Sequence, residues 1–250
     1  DRLGLYYCEN GASQRPSKVI YDRAGSSISQ VKVGDFDWEG IFKDADWFHF
    51  TGITPALGDS AAEVTLEALE VAKELGIRVS ADLNYRKKLW SKEKARVVME
   101  NLMPYVDVLI GNEEDADSVF GIKATGTDVT KGELSTEAYV EVAKKLTDKF
   151  GFDKVAITLR ESRSASDNGW GGMLFEGGKP YFSKHYDVHI VDRVGGGDSF
   201  AAGLIYGLRA YGSPQRTLDF ALAASCLKHT IFGDCNLVSV EEVEKLAGGG

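Results

Sequence analysis

Four short apolar segments, Trp47 to Thr51, Arg78 to Ala81, Val106 to Ile110 and Val155 to Thr158, are each followed by turn residues and then by a helical pattern. Strands that alternate with helices pair in parallel, because a crossover must carry the chain back to the same end of the sheet. The spacing predicts an α/β chain with a mostly parallel central sheet. The first crossover is well punctuated: Ser60-x-x-Glu63 reads as a capping box, Val64, Ala68, Val71, Ala72 and Leu75 share a helical face, and Gly76 marks the stop. A later helix is expected from about Ser135 to Phe150, ended by Gly151. Ligands of such sheets gather beyond the carboxyl ends of the strands, so those ends are where chemistry is expected.

The flanks differ. Leu3 to Cys8 and Val19 to Arg23 read as short aromatic strands around the turn-rich Asn10 to Ser13, a β-hairpin that either closes over a ligand as a lid or forms a sheet edge. The Ser/Gly/Asn-rich stretch Glu161 to Gly172 suggests an antiparallel addition to the sheet. A net charge of -9 argues against a nucleic-acid or anionic-membrane surface, and no apolar run is long enough to span a bilayer. Cys8, Cys226 and Cys235 are odd in number and show no metal-ligand spacing, which suits a reducing cytoplasm. His185 and His189 fall in an extended stretch, and with His49 and His229 they form no zinc motif.

One motif promises chemistry. Gly195-Gly196-Gly197-Asp198 leads into a helix whose apolar positions are Phe200, Leu204, Leu208 and Tyr211. The first N–H groups of that helix lack intrahelical partners and carry the positive end of its dipole, so a phosphate can dock there, and glycines let it come close. Asp198 in the first turn is a candidate general base; an acid there also complements the dipole, and alone the motif allows both readings. It is no Walker A loop, since Asp198-Ser199 stands where Lys-Ser or Lys-Thr is needed. A dinucleotide fingerprint fails too: Phe200 replaces the third glycine, and a second helix, opened by Ser213-Pro214, follows where a strand is required.

The strand ends collect polar groups: Asp82, Asn84 and Arg86, then Asn112 and Asp115, then Thr158 and Arg160. Asn112-x-x-Asp115 could order a magnesium-water shell on nucleotide phosphates; taken alone, it reads better as a helix cap. Arg160 could neutralise a transferred phosphate or simply face solvent.

Together these residues resemble the ribokinase-like, or PfkB-type, carbohydrate kinases, and among them the 2-keto-3-deoxygluconate kinases. Asp192-Arg193-Val194-Gly195-Gly196-Gly197-Asp198-Ser199-Phe200-Ala201-Ala202-Gly203 is similar to the family's C-terminal signature, and Gly111-Asn112-Glu113-Glu114-Asp115 to its Asn-x-x-Glu motif, with Asp115 in place of the last Glu. The acid-sugar subgroup is marked by Leu3 to Tyr7, Val19 to Arg23, Asp82 to Arg86, Leu227-Lys228-His229-Thr230 and Gly233-Asp234-Cys235-Asn236.

The resemblance implies a three-layer α/β sandwich with a small β-strand lid. It implies a single sugar-kinase domain over 1-250 that lacks its N-terminal portion, since family members begin with strands and a glycine-containing substrate loop upstream of Leu3, and 3-33 would contribute lid strands. It implies phosphorylation of a sugar acid by ATP with Mg2+ in the cytoplasm: Asp198 as base, Gly195, Gly196 and Gly197 as anion hole, and Tyr6, Tyr21, Arg23, Arg86, Asp198 and Asp234 at the sugar acid. The nucleotide would meet Asn84, Asn112, Thr158, Arg160, Gly195, Gly197 and Asn236, with Asp115 touching the metal through water. Arginine suits a substrate carboxylate. A fructokinase or other sugar kinase, and a noncatalytic binding module, are the alternatives; whether copies assemble into a homo-oligomer is left open.

Overall fold

The computed structural model describes residues 2–124 and 136–249, which fall into two compact units. One comprises 2–7, 20–124 and 136–155, the other 8–19 and 156–249. Ser135, the expected helix start, lies outside the described residues.

At the front, β1 (Leu5–Glu9) and β2 (Lys18–Asp22) form a separate two-stranded sheet, not the edge of the larger one. A short helix α1 (Trp38–Phe42) precedes the parallel core of the first unit, β3 (Trp47–Thr51), α2 (Asp59–Glu74), β4 (Arg78–Asp82), α3 (Lys92–Leu102) and β5 (Val108–Gly111). The strands lie in the order β3, β4, β5, with Phe50 beside Ala81 and Ala81 beside Leu109. Val79, Ala81, Val108 and Leu109 are buried, as in parallel strands covered on both faces. Helices α4 (Glu113–Phe120) and α5 (Thr136–Phe150) complete this unit, α5 burying Val142, Ala143 and Leu146.

In the second unit, β6 (Lys154–Ser162, which starts just before the unit boundary) lies beside β7 (Asp167–Glu176). Their connection is too short for a crossover, so the pair is antiparallel, as the Ser/Gly-rich stretch suggested. Strands β8 (Lys179–Phe182) and β9 (Tyr186–His189) pair antiparallel with successive parts of β7. Three helices follow: α6 (Gly196–Ala210), α7 (Pro214–Lys228) and α8 (Val240–Gly248). Among the described residues no helix is long and apolar enough to cross a membrane.

One local expectation needs correction and another is refined. The Ser60-x-x-Glu63 box does not form: α2 begins after Gly58 without a side-chain cap, and Ser60 Oγ instead donates to the Val31 carbonyl at 2.5 Å. The buried face of α6 runs through Phe200, Gly203, Leu204 and Gly207, and the expected stripe continues less deeply, with Leu208 half-buried and the half-buried Tyr211 packed on Phe220. A Cβ on Gly203 would stand 2.9 Å from Ala221 Cα, so α7 packs too closely there for any larger residue.

Candidate active site

The glycine turn before α6 is specified residue by residue. Gly195, the N-cap, has φ 82°, and a Cβ on it would lie 2.3 Å from the Asp234 carbonyl oxygen. A Cβ on Gly196 would come within 2.6 Å of the His229 ring. These two are glycines because the protein surrounds them. Gly197 is different: nothing lies within 4 Å of the place its Cβ would occupy, and its φ is not positive. The fold does not ask for glycine there, whereas a phosphate approaching the helix N-terminus would. Asp198, in the same first turn, is exposed.

A buried network holds this turn. Trp170 Nε1 donates to Ser225 Oγ at 3.0 Å, and Ser225 Oγ donates to the Gly196 carbonyl at 2.7 Å. His229 donates from Nδ1 to the Ser225 carbonyl at 2.7 Å, a tautomer fixed by that acceptor, while burial lowers its pKa and keeps the ring neutral. Buried Asp192 accepts from Val194 N at 3.1 Å and from Gly233 N at 3.0 Å, so one carboxylate ties the glycine turn to the loop carrying Asp234 and Asn236. The sequence signature contains Asp192; Trp170 and Ser225 carry no sequence signal, because only packing brings them to the turn.

Asp198, Ser199, Tyr206, Phe220, Asp234 and Asn236 line a groove of about 390 Å³. Asn236 donates from Nδ2 to the Ala224 carbonyl at 3.2 Å, but its Oδ1 is buried with no partner. An apolar-walled groove with an unsatisfied acceptor suits a flat heterocycle bearing an amino group. In the same unit Thr158 is half-buried on β6, and the exposed Arg160 donates from Nε to Asn168 at 3.1 Å once the Asn168 amide is oriented by its neighbours.

The remaining site residues lie in the first unit. Asn112 caps α4, its Oδ1 accepting from Asp115 N at 2.8 Å. Asp115 Oδ1 in turn accepts from Tyr85 N at 3.1 Å, pinning the loop after β4. That loop holds Asn84 at φ 41°, an uncommon conformation braced by Nδ2 donating to Thr51 Oγ1 at 3.1 Å, and the exposed Arg86. Asn84, Arg86, Asn112 and Asp115 are thus brought together at the ends of β4 and β5. On the hairpin, the Tyr6 and Tyr21 rings are 6.4 Å apart, and the Arg23 guanidinium lies 4.2 Å from the Tyr21 centroid. Both tyrosines are 41% exposed, so packing alone does not account for them.

Among the described residues no group of three His, Cys, Asp or Glu side chains could hold a metal ion. Asp115 fits a looser role: it is buried, and burial pushes its carboxyl up from 3.8 to about 6, with Tyr85 N and Arg86 acting in the other direction. The native state holds this proton more tightly than the unfolded chain, so this group's contribution to stability falls as pH rises from about 4 to 6, by on the order of 3 kcal/mol. Asp115→Asn keeps an acceptor for Tyr85 N and removes the charge. At pH 8 it is expected to unfold at or above the wild-type temperature and to lose that acid-side dependence, as a thermal-denaturation series from pH 4 to 8 would register. A clear drop at pH 8 would mean that the carboxylate charge itself is held by a partner.

The pfkB family carbohydrate kinase model matches residues 1–240. The chain is 35% identical to 2-dehydro-3-deoxygalactonokinase of Haloferax volcanii over all of its own length and 71% of the relative's. Further curated relatives are spanned over about three fifths of their length, 61 to 63%. The crystal structure of 2-dehydro-3-deoxygluconokinase from Thermotoga maritima superposes with a TM-score of 0.95 at 55% identity, covering 100% of this chain and 74% of that one. A fructokinase with bound ATP from Xylella fastidiosa shares the fold alone, with a TM-score of 0.73 at 19% identity over 98% of this chain and 73% of that one. The ribokinase-like α/β class expected from the sequence is the class found. With the family model covering nearly every residue and the glycine turn and Asp198 in place at the head of α6, the chain belongs to the pfkB family of carbohydrate kinases.

Proposed function

We propose that the chain transfers the γ-phosphoryl group of ATP to the terminal hydroxyl of 2-keto-3-deoxygluconate. The observation that carries this reading is Gly197 with open space before it, beside the exposed Asp198 at the mouth of a groove that holds an unsatisfied acceptor. Asp198 takes the hydroxyl proton as the oxygen attacks phosphorus; the new O–P bond forms as the bond to the β-phosphate oxygen breaks, and ADP leaves. The N–H groups of Gly195 to Gly197 receive the charge on the transferred group. Asn236 Oδ1 accepts from the adenine amino group, while Asn84, Asn112, Thr158 and Arg160 border the rest of the nucleotide. Magnesium, held through water by Asp115, would neutralise nucleotide oxygens. Residues 3–33 act as the lid that excludes water. Free thiols at Cys8, Cys226 and Cys235 suit a reducing cytoplasm.

Tyr6, Tyr21, Arg23, Arg86 and Asp234 contact the sugar acid, with the arginines on its carboxylate. Arg23→Ala and Arg86→Ala are each expected to raise KM for the acid about 10- to 100-fold, the loss of a charge-assisted hydrogen bond, with a smaller effect on kcat. Fructose use, if any, would not respond. Unchanged KM in both variants would remove the acid-sugar assignment. The proposal as a whole is tested by ADP release from the purified chain with ATP and ketodeoxygluconate, 2-keto-3-deoxygalactonate, fructose or ribose. The galactonate epimer is the second reading, favoured by the name of the Haloferax relative.

A further inference from the structure

Lys228 is the last residue of α7 and is wholly buried, at 0% exposure. Its Nζ donates to the Ile231 carbonyl at 3.1 Å, and no carboxylate among the described residues forms an ion pair with it. One of three ammonium donors is therefore used. An unpaired ammonium away from water is costly, and lysines are almost never placed so without a charge to answer. One answer is the carboxyl end of α7, where a cation complements the dipole. A solvent-exposed lysine at a helix end already complements the dipole without the cost of desolvation, so helix capping alone does not require the burial.

The surroundings do. Lys228 Cε lies 3.4 Å from the place a Gly195 Cβ would occupy, so its stem packs beneath the turn that opens α6. Its neighbour in sequence, His229, packs on Gly196 and is held neutral in part by the Lys228 charge. Positive charge thus sits under the turn, and the only imidazole there does not add to it.

Building on the kinase reading, we infer that Lys228 is a positioning residue whose fixed buried charge makes the Gly195–Gly197 turn selective for a phosphoryl anion. A charge in a low-dielectric setting acts more strongly than one in water, and it costs no reorganisation when negative charge develops on the transferred group.

Lys228→Met fills a similar volume without charge. It is expected to keep the wild-type melting temperature or exceed it, because replacing an unpaired buried charge by a packed apolar chain is neutral or favourable. It should bind adenosine as the wild type does, bind ATP about 10-fold more weakly, and lose about 10- to 100-fold in kcat with an unchanged KM for the sugar acid. Lys228→Ala should regain part of its turnover on addition of methylammonium, which leaves the wild type unaffected. A Met variant with wild-type kcat and ATP affinity would overturn the inference, as would parallel losses of ATP and adenosine binding, which mark a merely structural role. A wild-type chain that binds ATP without turning over any sugar would sink the kinase reading instead, and the ratio of ATP to adenosine affinity would still decide on Lys228.

Discussion

Asp198→Asn is expected to bind ATP and the sugar acid much as the wild type does, yet to turn over about 10²- to 10⁴-fold more slowly, the range a positioned general base contributes. The substitution keeps size and hydrogen-bonding reach and removes the charge and the proton affinity. Both readings of Asp198 foresee a small loss of stability, since a carboxylate in a first turn complements the helix dipole by about 0.3 to 1 kcal/mol. The melting temperature therefore does not separate them. Turnover does: a helix-dipole residue leaves kcat nearly untouched, whereas a base takes the proton in the step that forms the O–P bond. Near-normal turnover with both ligands bound would return Asp198 to the bland role and leave the transfer without a base. The measurement is a steady-state kcat by coupled ADP release, paired with calorimetric Kd values for each ligand.

What could be read from sequence was local. Asn112 before a run of acids caps α4, Pro214 opens α7 after its Ser213 cap, and Gly195 takes the positive φ that a strand-to-helix turn requires. Each of these is decided within a few residues. The parallel strands were legible for the same reason, as short apolar runs between well-marked helices. Ser60 failed because a distant carbonyl, that of Val31, competes for its hydroxyl. On α6 the apolar stripe is legible at Phe200 and Leu204, but Gly203 and Gly207 are not, because only the close approach of α7 puts glycines on a buried face.

The site divides in the same way. Glycines and acids in a named motif stand out in the chain, so Gly195 to Asp198 are candidates that the chain itself marks. Their supports do not. Trp170 and Ser225 lie 55 residues apart in sequence, and Ser225 is 29 from the Gly196 carbonyl it holds; a serine inside an alanine-rich helix looks like a surface residue until the fold buries it. Lys228 is hidden for a related reason. A lysine at the end of a helix has an ordinary explanation, and only its complete burial removes that explanation.

The turn itself offers the second large effect, because its glycines are there for different reasons. Gly195→Ala must place a side chain at φ 82° and 2.3 Å from the Asp234 carbonyl, so it is expected to destabilise by on the order of 3 kcal/mol, the sum of left-handed strain and overpacking. Gly197→Ala meets neither obstacle. Alanine in a first helical turn loses less backbone entropy than glycine, so this variant should be as stable as the wild type or more so, by up to about 1 kcal/mol. Its methyl group nonetheless occupies the space from which a phosphate would reach the N–H groups. A displacement of that kind at the reacting centre costs about 100-fold in kcat. Urea unfolding and steady-state kinetics on the two variants therefore give opposite orders: Gly195→Ala is the less stable protein, and Gly197→Ala is the stable protein with impaired transfer. If Gly197→Ala turns over normally, no phosphoryl group docks against that turn, and the chemistry assigned to the head of α6 must move elsewhere.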